Sequence, residues 1–215
     1  VEPTPLVIVG AGGHGRELLD IVEAVNAVAP RFVFEGFCDD SPGPWPLLAR
    51  RGVTVVGTFA QLGGLAADYV VGLGRGRDRQ AVDERATAAG RVPASLVHPL
   101  ASQGRDLDLG PGLVMAAGAR ITTNVAVGRH VHLNLNATLS HDCRVGDYVT
   151  LNPGANVNGA VTLGDRVTVG SGAVIREGTT VGADVVIGAG AVVVEDAADG
   201  ATVVGVPARP RPDLI

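Results

Sequence analysis

Counting forward from Leu109 in steps of six, the chain reads Leu109, Met115, Ile121, Val127, Leu133, Leu139, Val145, Leu151, Val157, Leu163, Val169, Ile175, Val181, Ile187 and Val193, an apolar ladder with no missed rung. A period of six is neither the 3.6 of a helix nor the simple alternation of one long strand. A second row lies two residues earlier. It opens with Leu107 and Leu113 and then stays small or β-branched through Ala119, Val125, Cys143, Ala155, Ala173 and Ala191. Gly often follows the first row, at Gly110, Gly128, Gly146, Gly164, Gly170, Gly182 and Gly188, where glycine suits a sharp turn or a positive φ. Each six-residue unit therefore reads as a short strand and a corner, and three units close a triangular coil of about 18 residues. Gly110, Gly128, Gly146 and Gly164 should stack on one edge. About five coils are expected from residue 107 to 194, each burying its side chains only against its neighbours. With 31 glycines and only 3% aromatic residues, the core must be filled by stacked aliphatic rows rather than by rings.

Residues 5–90 lack this period. Leu6–Val9 reads as a strand, Arg16–Val25 as a helix with Leu18, Leu19, Val22 and Val25 on one side, and Phe32–Phe37 as a second strand. A loop is expected over Ser41–Pro46, then a strand over Val53–Val56, a short helix over Phe59–Leu65, a strand over Tyr69–Leu73 and a helix over Gln80–Ala89. Strands alternating with helices predict a small parallel, Rossmann-like α/β unit. The chain then divides into an α/β domain over 1–95, a β-helix over 96–196 and a C-terminal extension over 197–215. Gly10, Gly12 and Gly15 have G-x-G-x-x-G spacing between a strand and a helix, the arrangement in which backbone N–H groups hold a phosphate. His14 sits inside that loop. Asp39 and Asp40 end the second strand, where carboxylates can accept hydrogen bonds from a ribose or a base edge. About ninety residues supply only half of a dinucleotide fold, which argues against a dehydrogenase.

The net charge of −5 and the absence of a basic block argue against nucleic acid as partner. No apolar run approaches the roughly 20 residues of a membrane span. The opening residues lack a leader pattern, and Cys38 and Cys143 have no metal-ligand spacing, so free thiols in a cytoplasmic protein are expected.

Five histidines are present. His130 and His132 flank the inward Val131, so alternation points both outward, and with no third ligand in register no metal site is expected. His141 lies at a corner with Asp142 beside it. A carboxylate on one imidazole nitrogen fixes the tautomer and raises basicity at the other, provided the chain bends between the two residues. Acyl transfer from a thioester needs such a base and donors for an oxyanion. Cys143, in the small inward row, reads as core.

From Val7 to Arg209 the chain resembles the hexapeptide acyltransferases that carry a small N-terminal α/β domain, a family that includes sialic acid O-acetyltransferases and nucleotide-amino-sugar N-acetyltransferases. The motifs that carry the likeness are Val9–Gly15, Asp39-Asp40, Val97-His98-Pro99, Asn134, Ser140-His141-Asp142-Cys143 and Val204–Arg209. The resemblance implies a left-handed β-helix, homotrimers with sites shared between neighbours, acetyl-CoA as co-substrate and no metal. It implies His141 as general base, Asp142 as the acid that orients it, and Asn134 as an active-site residue. Gly10, Gly12, Gly13, His14, Asp39 and Asp40 match the sugar-nucleotide pocket. Gly154, Ala155, Gly172, Ala173, Pro207 and Arg209 match the run of coenzyme A. Thr150 departs from the family's second histidine, nine residues after the base. The expected activity is acetyl transfer to the amine of a nucleotide-linked amino sugar. The alternatives are O-acetylation of a sialic acid or other sugar, and a β-helix that binds without catalysis.

Overall fold

The computed structural model describes residues 2–211. Its N-terminal part runs β1 (Thr4–Val9), α1 (Gly13–Val28), β2 (Phe32–Cys38), α2 (Pro46–Ala49), β3 (Val55–Gly57), a 3-10 turn (Phe59–Gly64), β4 (Asp68–Val71) and α3 (Gly76–Ala88). The strands form one parallel sheet in the order β3-β2-β1-β4. The elements follow the expected alternation, with informative differences at the ends. α1 extends to Val28 because nothing stops it before the extended cap Ala29, which precedes Pro30. α3 begins at Gly76 because its polar first turn, Gly76-Arg77-Asp78-Arg79, carries no apolar signal. The short α2 starts inside the expected loop, with Pro46 at the first helical position that its fixed φ favours.

From Leu96 the chain coils into a three-sided prism whose faces are sheets of five, six and eight strands. Through Ile175↔Val193, each rung pairs in parallel with the residue eighteen further on, as in His132↔Thr150 and Leu133↔Leu151. The coil starts before the apolar ladder does. Leu96–Val97 and Ser102–Gln103 are already paired, and Gln103 is the polar rung that interrupts the ladder there. It also continues past Val193. Ile187 pairs with Val203, sixteen residues on, so the last turn is two residues short and the six-residue phase slips. Met115, Leu133, Leu151 and Val169 stack with no exposed surface, as do Ala137, Ala155 and Ala173 in the smaller row.

The corners correct one expectation. Positive φ falls two residues after the ladder glycines, and it falls at every sixth residue from Asp106 to Gly190, with φ between 48° and 75°. Asp, Asn and Gly occupy most of these sites, the residues that enter the left-handed region at least cost. The glycines directly after the ladder serve close approach instead: a Cβ on Gly146 would lie 2.4 Å from Asp165 Oδ1 and 2.9 Å from the Gly164 carbonyl carbon. As expected, Gly110, Gly128, Gly146 and Gly164 stand above one another.

Gly146→Ala should therefore cost about 1–3 kcal/mol through overpacking, read as a lower thermal midpoint. Gly172 has φ +66° but open space around it. Gly172→Asn should be nearly neutral, while Gly172→Val should lose about 1–2 kcal/mol from the backbone alone.

Candidate active site

Helix α3 fixes the α/β part on the prism. Arg79 has no exposed surface. Its guanidinium donates to the carbonyls of Leu73, Gly74, His130, Tyr148 and Val149 and to Thr150 Oγ1. Burial pushes it down to about 9, which leaves it charged at neutral pH. One helical turn on, Asp83 is 2% exposed. It accepts from His130 Nε2 at 2.9 Å, from Arg129 Nε and Nη2, from Tyr148 Oη at 2.7 Å and from Tyr69 Oη. Burial alone would raise its carboxyl, but the bonds from His130, Arg129, Tyr148 and Tyr69 hold it well below the usual carboxylate range. Thr150, read from the sequence as a departure, completes the clamp: its hydroxyl accepts from Arg79 at 2.9 Å and donates to Gly74 O at 3.1 Å.

His130 and His132 do point away from the coil axis, yet neither has any exposed surface. The outward face they occupy is covered by the α/β part, an event that alternation along one strand does not report. His132 Nδ1 lies 3.0 Å from His14 Nε2, and His14 Nδ1 lies 3.2 Å from Glu17 Oε2. A carboxylate only accepts, so His14 donates from Nδ1 and takes the His132 Nδ1–H at Nε2. Burial lowers both rings' affinity for protons, His132 the more strongly, and the pair is neutral at pH 7.

Beside this pair opens a cleft of about 550 Å³ between α1 and the eight-stranded face, with His14, Glu17, His98, Asn134 and Asn152 on its walls. Asn134 and Asn152 are one coil apart. Each donates its amide N–H to the next coil, to Leu151 O at 3.1 Å and Val169 O at 2.9 Å, which leaves each with one Oδ1 acceptor beside the cleft. His98 Nδ1 accepts from Leu100 N at 3.0 Å, leaving Nε2–H as a donor. The glycine loop borders α1. Gly10, with φ +102°, and Gly15 are required by packing, since a Cβ on Gly15 would meet Gly10 O at 1.8 Å. Gly12 and Gly13 are exposed and unconstrained: nothing lies within 4 Å of a Cβ on Gly12. Arg16 reaches back to Ala11 O at 3.2 Å. Asp39 holds this loop by accepting from Ala11 N at 2.7 Å and Ser41 N at 2.8 Å, while Asp40 accepts from Phe59 N at 2.8 Å through Oδ1.

His141 stands on another corner, across the strand Thr138–Leu139 from Asn134. Nδ1–H donates to Asp142 Oδ2 at 2.8 Å. The bend this needs comes from Asp142 itself, at φ 62°. Nε2 is therefore bare, on a ring that is 51% exposed. Gly159, one coil on, lies against the ring: a Cβ there would come within 2.5 Å of Nε2. Cys143 is buried in the core row, with Sγ donating to Asn158 O.

The PglD N-terminal domain family matches residues 5–86, and the bacterial transferase hexapeptide (six repeats) family matches residues 160–195. The acetyltransferase domain of PglB from Neisseria gonorrhoeae FA1090, in complex with acetyl coenzyme A, is 34% identical and superposes with a TM-score of 0.88 over 98% of this chain and 100% of that one. The chain belongs to the hexapeptide-repeat acyltransferases with a PglD-type N-terminal domain. PerB from Caulobacter crescentus, in complex with CoA and GDP-perosamine, is 32% identical, with a TM-score of 0.86 over 96% of this chain and 97% of that one. GDP-perosamine N-acetyltransferase from Escherichia coli O157:H7 is 34% identical over 142 residues, and the chain spans 62% of that relative's length. The architecture is accordingly a small Rossmann-like domain on a left-handed parallel β-helix.

The family frame sorts the expected site residues. His14 and Asn134 meet in the cleft; the pair of His141 and Asp142 does not join them within one chain. Gly172, Pro207 and Arg209 are exposed on the outside of the coil and its end, and Gly154 is half-buried. Ala155 and Ala173 lie in the inward row. Their side chains face the core, and their N–H and C=O groups already bond to Asn152 O and Thr138 N, and to Gly170 O and Asn156 N. Asn152 was missed, although its spacing of eighteen from Asn134 was available to read. Glu17 stands out only once the two parts of the chain are docked, and His98, quoted within a motif of the resemblance, acquires a place in the site only there.

Asp83→Asn should lose about 3–5 kcal/mol at pH 7, because it unbalances a buried ionic cluster. Asp83 binds its proton more weakly folded than unfolded, so its contribution is full above about pH 4 and disappears as pH falls further. Chemical denaturation from pH 3 to 7 should show a shallower acid decline in the variant.

Proposed function

We propose that the chain transfers the acetyl group of acetyl-CoA to the amine of a nucleotide-linked amino sugar, with His141 as general base. The observation that carries this is the His141–Asp142 pair, an exposed imidazole with Nδ1 held by a carboxylate and Nε2 bare. The relatives supply the substrate class: CoA and GDP-perosamine in PerB and acetyl coenzyme A in the PglB domain. As the amine nitrogen bonds to the thioester carbon, Nε2 takes its proton. The tetrahedral oxyanion then collapses, the C–S bond breaks, and the proton passes to the departing CoA sulfur.

The nucleotide's pyrophosphate fits the open N–H groups at Gly12 and Gly13, with Arg16 and His14 beside them. Asp40, with one oxygen uncommitted to the protein among the described residues, suits the ribose or base. The two amide oxygens of Asn134 and Asn152 suit an ammonium or hydroxyl of the sugar. Coenzyme A has a backbone track along the corner through Gly154 and Gly172, where no side chain intervenes, toward Pro207 and Arg209. Within one chain His141 and the cleft occupy different corners of a rigid prism. The complete site is therefore shared between neighbouring copies, which supports a homotrimer. A reaction on soluble cofactors and nucleotide sugars is that of a cytoplasmic enzyme.

With GDP-perosamine as the first acceptor, thiol release should accompany amide formation seen by mass spectrometry. His141→Ala should lower kcat by about 10²-fold or more while CoA binding persists. An ester product, or a near-normal rate in the variant, overturns the reading. Mixed oligomers of His141→Ala and Asn134→Ala chains should regain activity that neither homo-oligomer has, because some seams then carry both intact residues. No recovery on mixing would place the whole site within one chain.

A further inference from the structure

Asp142 has two carboxylate oxygens, and only Oδ2 is engaged by His141. The other, Oδ1, accepts from Asn124 Nδ2, exactly one coil below in the eighteen-residue register. Both residues occupy left-handed corner positions, Asn124 at φ 56° and Asp142 at φ 62°. The shared backbone state projects their side chains in the same direction, one above the other. Asp142 N also donates to Thr123 O at 3.2 Å, which fixes the corner from which the carboxylate extends.

This matters because the pair is exposed, Asp142 at 50%. An aspartate held only by a neighbouring histidine can rotate about χ1 and χ2 and exchange its bond for water. A second donor at the opposite oxygen removes that freedom. The Asn124 amide, and then the His141 ring, hold the Asp142 carboxyl below its usual range, with Arg144 contributing at longer reach. Asp106 occupies the same corner one coil below Asn124, so position 124 is where the column changes from carboxylate to amide.

We infer that Asn124 is a positioning residue for the acyl transfer: its amide clamps the Asp142 carboxylate, which in turn keeps His141 in the Nδ1–H tautomer with Nε2 free. The inference rests on the proposed role of His141 and adds a third member to that pair. The competing explanation is that Asn124 merely suits a left-handed corner. Glycine suits that backbone at least as well and carries no amide, as Gly178 shows at the same corner three coils on. Asn124→Gly therefore separates the two. Asn124→Asp retains the shape but replaces the donor with a second negative charge.

Asn124→Gly should keep the thermal midpoint and the KM for both substrates within about twofold, while kcat falls about tenfold, a fraction of what a general base supplies. Nitrogen NMR of His141 in the free enzyme should change from the Nδ1–H tautomer to a mixture. In Asn124→Asp the acid limb of the pH–rate profile should move to higher pH, because a second carboxylate favours the imidazolium. An unchanged kcat and tautomer in Asn124→Gly overturn the inference, as does a loss of kcat that merely follows a loss of stability. Failure of the underlying reading looks different. His141→Ala would then remain active, whereas failure of Asn124 alone leaves His141→Ala inactive and Asn124→Gly normal.

Discussion

The eighteen-residue register of the coil governs everything built on it. Parallel pairing places each residue above its counterpart one turn earlier, and the left-handed corners recur every six residues without exception from Asp106 to Gly190. An insertion of one residue would turn inward side chains outward and move every corner out of column. The constraint is also productive. Two residues eighteen apart are neighbours without any long-range folding event. Asn134 and Asn152 line one wall of the cleft in this way, Asn124 reaches Asp142, and Gly159 lies against His141. A repeat selected to fill a core thus becomes a ruler for setting polar groups on its surface.

The second organising element is the buried charge in α3. Desolvating Arg79 and Asp83 is costly, and such clusters are stable only when their hydrogen bonds are met. Here both are saturated, Arg79 by carbonyls at a corner of the coil and Asp83 by two tyrosines, an arginine and a histidine. An apolar interface could slide. This one demands a single orientation, because a shift would leave a buried guanidinium or carboxylate unpaired. That orientation brings His14 onto His132 and opens the cleft between α1 and the prism. Position 150 serves this docking through Thr150, which lines the cleft and also ties the two parts of the chain together.

Much of this was legible before any coordinates. The ladder fixed the coil, its period and its stacked glycines, because periodicity is a property of the chain itself. The alternating elements of the first ninety residues were equally readable, whereas the bend between His141 and Asp142 could only be stated as a requirement of their pairing. What escaped depends on partners distant in sequence. Alternation correctly turned His130 and His132 away from the coil axis, but their burial comes from α3 and α1. Ala155 and Ala173, which the resemblance sets along the run of coenzyme A, belong to the inward row, as the register already showed. The ladder itself misses the first and last turns, where Gln103 breaks it and where the final turn loses two residues.

The separation of the His141 corner from the cleft follows from the same rigidity. A prism held by parallel pairing on three faces cannot flex one corner toward another without breaking its hydrogen bonds. In the proposed reaction, an amino sugar held by the α/β part and by Asn134 would lie across the strand Thr138–Leu139 from His141 of its own chain. Under the proposed reaction, a base that must come within hydrogen-bond reach of the amine has to arrive on another copy. On that reading, association would supply catalytic geometry that folding alone leaves incomplete, and it would enclose an imidazole–carboxylate pair that stands half-exposed on the single chain. Enclosure strengthens each electrostatic contact at the pair by excluding water. It also increases the value of fixing Asp142 from both sides, since a misdirected carboxylate in a closed seam has no solvent to restore its bond.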